Sequence, residues 1–178
     1  MAVRAARTLG AAALASVLLS ACAALAPRPA ESLAGRLSVR IEGDAARSFN
    51  AAFELSGSAE RGHLSLATPL GVQLARAEWS PRGVLLRAKD GERSYDDLDS
   101  LAQDALGERM PLAALFDWLR GRAWPGAASE TAPPGFRQLG WLVDLSRQSE
   151  GWVLAQRQAA PIIMLRVKLD VTAESVLP

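Results

Sequence analysis

The sequence predicts a mainly β fold: a strongly curved antiparallel sheet of about nine or more strands, with helices inserted in its middle. Three observations carry this prediction. Apolar residues recur with period two from Leu33 to Tyr95 and again from Leu139 to Val171. Between Leu98 and Leu119 the period changes to that of a helix. Gly, Pro and Asp punctuate the strand-like runs at short intervals, as hairpin turns require.

Ahead of that domain, Arg4 and Arg7 precede an apolar run, Leu9 to Leu19, which closes on Leu19-Ser20-Ala21-Cys22. A positive start, a short apolar segment and a small-residue site make a secretory signal. Because that site ends in the only Cys of the chain, it reads as a bacterial lipobox. Residues 1–21 are then a signal peptide, Cys22 is the lipid anchor, and 22–32, with Pro27 and Pro29, is a flexible tether. Residues 33–178 make a single domain. A transmembrane helix is the competing reading, since Leu9 to Ala26 carries no charge. However, the run is rich in Ala, Ser and Gly, and no stop-transfer charges follow it. Ala23, in place of the Asp that retains enterobacterial lipoproteins in the inner membrane, points to the outer membrane, facing the periplasm.

From Leu33 the strands follow in order. Leu37, Val39 and Ile41 alternate with polar residues, and Gly43-Asp44 marks a turn. Phe49, Ala51, Phe53 and Leu55 form the next run, and Leu64 with Leu66 the third. After Thr68-Pro69-Leu70-Gly71, Val72 and Leu74 slip in phase to Ala75, Ala77 and Trp79, as a bulge would cause. Val84–Ala88 and Glu92–Tyr95, joined by Asp90-Gly91, make a hairpin.

Leu98, Leu101, Ala102, Ala105 and Leu106 share one helical face, with Asp96 or Asp97 as N-cap and Gly107 as terminator. Pro111 opens a second helix at its first position, and Leu112, Leu115, Phe116 and Leu119 are its stripe, ended by Gly121. Ala127–Gly135, with Pro133-Pro134, reads as a loop. Three strands close the chain: Leu139-Trp141-Val143-Leu145, Trp152–Gln156, and Ile163 to Val171.

Without Arg4 and Arg7 the mature chain of 157 residues holds 18 basic against 19 acidic residues, a net charge of −1. With no basic stripe, nucleic acid is not a partner. A search for chemistry finds little. His63 is the sole histidine, on a polar strand face, and no nucleophile or phosphate-loop motif appears. Asp96, Asp97 and Asp99 are more simply helix-capping acids than metal ligands, and Glu78 and Asp144 sit singly on strands. No enzyme activity, metal or cofactor is expected.

Two apolar features stand out instead. Phe49, Phe53, Trp79, Phe116, Trp118, Trp124, Trp141 and Trp152 share one expected interior, either a filled core or, under helices, a cavity. At Pro69-Leu70-Gly71 a turn carries Leu at its tip, where polar residues are usual. Turn statistics favour Leu70 folding back on the core; the functional alternative is a protruding apolar finger.

This combination resembles the LolB family. The matching features are the lipobox, Gly35-Arg36-Leu37-Ser38-Val39-Arg40, Thr68-Pro69-Leu70-Gly71, Met110-Pro111-Leu112 with Asp117-Trp118-Leu119-Arg120-Gly121, Gly140-Trp141, and Arg166-Val167-Lys168-Leu169-Asp170. The resemblance implies an unclosed antiparallel barrel with helices as a lid over a hydrophobic cavity. It implies a monomer that takes acylated lipoproteins from a LolA-like periplasmic carrier and inserts them into the inner leaflet of the outer membrane. It also implies that Leu70, with Pro69 and Gly71, is the membrane-insertion loop, and that Phe49, Phe53, Trp79, Leu115, Trp118, Trp141 and Trp152 surround the acyl chains. The alternative is a lipid-anchored envelope scaffold with a filled core and no acyl cargo.

Overall fold

A computed structural model describes residues 32–170. Cys22, the signal segment, the residues preceding Ser32 and Val171 lie outside the described residues. Alternation dictates the first half. β1 (Ser32–Ile41), β2 (Asp44–Gly57), β3 (Gly62–Ala67), β4 (Gln73–Ser80), β5 (Gly83–Ala88) and β6 (Gly91–Tyr95) pair in order as an antiparallel meander. Their inward residues, such as Val39, Phe53, Leu55, Ala77 and Trp79, are buried, while Arg36, Arg40 and Glu54 stay exposed. The expected phase slip is a bulge. Leu66 pairs with Ala75 but Ala67 with Gln73, so Leu74 is the extra residue.

The helices are α1 (Leu98–Leu106) and α2 (Leu112–Trp118). Asp97 caps α1 by accepting from the Ser100 backbone N–H at 2.7 Å, which holds its carboxyl below the usual range, and Gly107 ends the helix at φ 69°. Past the helices come β7 (Ser129–Ala132), β8 (Gly135–Gln138), β9 (Trp141–Asp144), β10 (Trp152–Arg157) and β11 (Ile163–Leu169). The sheet order is β6-β5-β4-β3-β2-β1-β11-β10-β9-β8-β7. Pairing of β1 with β11 joins the two halves at the centre, so β6 and β7 are left as unpaired edges. The barrel is therefore unclosed, and both helices lie in the chain segment that connects its two edges.

Several expectations need correcting. Ala127–Gly135 is not a loop: Ser129–Ala132 forms the edge strand β7, paired with β8 across the Pro133-Pro134 turn. Leu139 is not a strand residue, since it sits with Gly140 in the β8–β9 turn. Pro111 is the N-cap of α2 rather than its first residue, and the helix ends at Trp118, short of Gly121. Two residues outside its expected stripe, Ala114 and Trp118, are fully buried, because α2 packs on more than one side. Ala105 of α1 is exposed.

Candidate functional site

The concave face of the sheet and the two helices enclose a cavity of about 60 Å³. Leu37, Phe53, Leu55, Leu64, Ala77 and Trp79 line it from β1–β4, and Leu165 with Val167 from β11. Leu98 and Leu101 of α1 close it together with Leu112, Leu115, Phe116 and Leu119 from α2 and its end. Every lining side chain is apolar, so nothing here can orient a polar substrate or move a proton. An apolar lining of this kind suits hydrocarbon better than a polar ligand.

Trp79 ties the sheet to the lid. Its indole Nε1 donates to the Ser58 carbonyl at 2.9 Å, and its ring meets Phe116 of α2 edge-on at 5.4 Å and 68°. The ring lies against Gly62, where a Cβ would come within 2.7 Å of it. The far end of α2 crosses to the other half of the sheet. There Trp118 packs against Phe136 at 6.4 Å and Trp141 at 6.1 Å.

Beneath Trp118 sits a residue that hydrophobic patterning could not single out. Gln138 is 2% exposed, the one buried polar side chain among the described residues. Its Oε1 accepts from Trp118 Nε1 at 2.8 Å and from the Trp124 backbone N–H at 2.9 Å. Its Nε2 donates to the carbonyls of Trp124 at 2.7 Å and Ala127 at 2.8 Å. All four hydrogen-bonding capacities of the amide are used, which pins α2 and the segment after it to β8.

Of the aromatic and aliphatic residues expected around acyl chains, Phe53, Trp79 and Leu115 line the cavity. Trp118 and Trp141 are buried in the core behind it, and Phe49 packs against that core without lining the cavity. Trp152 faces the opposite way. Val153 and Ala155 take the inward positions of β10, and Trp152 lies outside with Arg147, Arg166 and Lys168 each 5.6 Å from its ring. It is not a cavity residue.

The α1 end of the lid is fastened by polar contacts. Asp104 accepts from Tyr95 at 2.6 Å and from Arg93 at 2.9 Å. Arg47 of β2 donates to the Leu106 carbonyl at 3.3 Å, and Glu108 pairs with Arg157 of β10 at 2.9 Å.

The second feature is the β3–β4 turn. Gly71 N–H donates to the Thr68 carbonyl at 2.8 Å, closing a turn with Pro69 and Leu70 at its centre and Gly71 at φ 84°. Thr68 also accepts from Val72 N–H through its hydroxyl at 3.1 Å, and its own N–H reaches the Val72 carbonyl at 2.8 Å. Pinned this way, Leu70 is 93% exposed and does not fold back on the core. Val72 at 63% and Leu74 at 41% extend the apolar surface along β4.

The polar candidates come together only weakly. Ser56 Oγ lies 2.9 Å from His63 Nδ1, but no carboxylate among the described residues hydrogen-bonds the ring. The opposed Glu78 is held by Arg76 at 2.8 Å and Arg87 at 3.4 Å, and the Arg76 hydrogen bond lowers its pKa. Asp144 accepts from the Ser146 N–H, a local turn contact that likewise lowers its pKa. Among the described residues no group of three His, Cys, Asp or Glu could hold a metal ion.

Comparison with known proteins agrees with this geometry. A family model described as outer membrane lipoprotein LolB matches residues 31–172. The chain is 39% identical to the outer-membrane lipoprotein LolB of Bordetella pertussis over 120 residues, covering 61% of this chain and 60% of that protein. It thus spans about 60% of the length of those Bordetella relatives. Identity to the protein of that name from Chromobacterium violaceum is 32% over 148 residues, covering 76% of this chain and 80% of the relative. For the Cupriavidus necator protein it is 32% over 171 residues, with 87% and 83% covered. The unclosed sheet, the helical lid and the apolar turn all lie within the matched residues, and the chain belongs to the LolB family of outer membrane lipoproteins.

Proposed function

We propose that this chain accepts acylated lipoproteins from a periplasmic carrier into its apolar cavity and inserts them into the outer membrane, where a lipid on Cys22 holds it. One observation carries the reading. The β3–β4 hairpin contributes Leu64, Ala77 and Trp79 to a cavity lined by apolar side chains alone, and the same hairpin holds Leu70 out in solvent at its tip.

The physical need for such a device is plain. At about 0.8 kcal/mol per methylene, three acyl chains exposed to water cost tens of kcal/mol, so cargo must pass from one apolar site directly to the next. No nucleotide is invoked to drive transfer; free energy falls from carrier to cavity to bilayer. A cavity of about 60 Å³ is smaller than the roughly 150 Å³ that holds a single benzene. Cargo therefore has to lift the lid. The α1 end is the side that gives, because its Asp104–Arg93 pair is half-exposed and contributes at most about 1 kcal/mol, leaving Glu108–Arg157 as its one shielded pair, whereas the fully bonded Gln138 clamps the Trp118 end.

Titration with a fluorescent fatty-acid analogue tests the cavity. The lipid-free mature chain, which begins at position 22 and carries Cys22→Ala, binds it saturably. Leu64→Trp, which fills the cavity from β3, weakens binding about ten-fold, equivalent to 1.4 kcal/mol. A chain that stays folded and binds no analogue points instead to a scaffold with a filled core.

A further inference from the structure

We infer that Leu139, at the tip of the β8–β9 hairpin, is a second residue that contacts the bilayer, on the opposite flank of the barrel from Leu70. The inference rests on the membrane-insertion reading above and extends it to a residue on a different hairpin.

Local conformation raises the question. Gln138 pairs with Trp141, which leaves Leu139 and Gly140 as a two-residue turn with φ of 53° and 78°. A turn with both central residues left-handed strongly prefers Asn-Gly or Asp-Gly. Leu139 is the only non-glycine residue at positive φ among the described residues, and its side chain is 47% exposed. An apolar side chain here is unfavourable twice over, in the backbone it must adopt and in the water it meets. Leu139 is not among the residues packed against the hydrophobic core, so core burial does not offset these costs. A local rule broken without a structural gain marks a functional position.

Placement says what the residue meets. In an up-and-down sheet alternate turns lie at one end. The β3–β4 turn with Leu70 and the β8–β9 turn with Leu139 are at the same end, together with the β1–β2, β5–β6 and β10–β11 connections. The large apolar residues exposed among the described residues are Leu70, Val72, Leu74, Leu139 and Met164. Met164 is the second residue of β11, where that strand leaves this same end. The apolar exposure is therefore segregated to one end of the barrel. Between the hairpins lie β2, β1, β11 and β10, so at about 4.8 Å per strand the two tips are on the order of 25 Å apart along the sheet. One finger fixes a point on a membrane; two fingers on opposite flanks fix the orientation of the rim between them.

The test uses the lipid-free mature chain, which begins at position 22 and carries Cys22→Ala, and flotation with vesicles of phosphatidylethanolamine and phosphatidylglycerol. Leu139→Asn suits the turn, so its melting temperature rises by a few degrees, while its partitioning into vesicles falls roughly five-fold, as expected for one half-exposed Leu leaving the interface. Leu139→Met, which keeps an apolar tip, retains partitioning. If Leu139→Asn partitions normally while Leu70→Glu does not, the inference fails and the membrane reading survives. If both partition normally, the membrane reading itself fails. A lower melting temperature for Leu139→Asn overturns the strain argument. Normal partitioning combined with loss of cargo capture from the carrier assigns Leu139 to a protein interface, and that also overturns the inference.

Discussion

Leu70→Glu is expected to capture lipoprotein normally and to fail at insertion. Because Leu70 is 93% exposed and makes no core contact, its replacement leaves the melting temperature within about 1 °C of the parent. At the bilayer the effect is large. Burying a Leu side chain is worth about 1.5–3 kcal/mol, and a carboxylate must in addition be desolvated or kept out of the interface. A combined loss near 3 kcal/mol slows release of cargo into vesicles at least about a hundred-fold. The readout is the rate at which a captured lipoprotein moves from the protein to vesicles. Insertion at the parent rate would remove Leu70 from the mechanism.

Gln138→Leu carries the largest expected loss of stability. It strands the Trp118 Nε1 donor in a region where Trp118 is only 1% exposed, and it removes partners from the Trp124 N–H and from the carbonyls of Trp124 and Ala127. Each buried group left unsatisfied costs about 1–3 kcal/mol, and water can reach some of these, so the sum is about 3–5 kcal/mol. For a domain of this size that lowers the melting temperature by about 10 °C or more. Thermal denaturation followed by tryptophan fluorescence reads it directly, and a shift below about 3 °C contradicts the clamp. If α2 is the fixed end of the lid, this variant also binds fatty-acid analogue with faster exchange.

The residues of the first half announced their structure because one face of each strand is buried and the other wet. Val39 and Ile41 against Arg40, or Phe53 and Leu55 against Glu54, leave a single register that hides the apolar set. Asp97 and Gly107 were readable for the same local reason, since a cap is chemistry within one turn. The second half was harder. Ser129–Ala132 carries no alternation because it is an exposed edge strand, held by its pairing with β8 rather than by burial. Leu139 shares period two with Trp141 and Val143, so pattern placed it in a strand that the Gly140 turn interrupts. Trp152 misled because both faces of β10 are apolar, Trp152 and Leu154 on one side and Val153 and Ala155 on the other. Gln138 gave no signal, since one amide in a short strand differs from a solvated one only in what folds over it. Leu70 was visible as an anomaly from the start; its direction needed the Thr68 hydrogen bonds that hold the turn.

The measurement that tests the account most directly is transfer between proteins. A triacylated lipoprotein bound to its soluble carrier is mixed with the lipid-free mature chain, which begins at position 22 and carries Cys22→Ala, with neither nucleotide nor membrane present, and the two proteins are separated. The account predicts that the lipoprotein leaves with this chain, and that cavity-filling Leu64→Trp leaves it on the carrier. Retention by the carrier in the presence of the folded parent chain would contradict it.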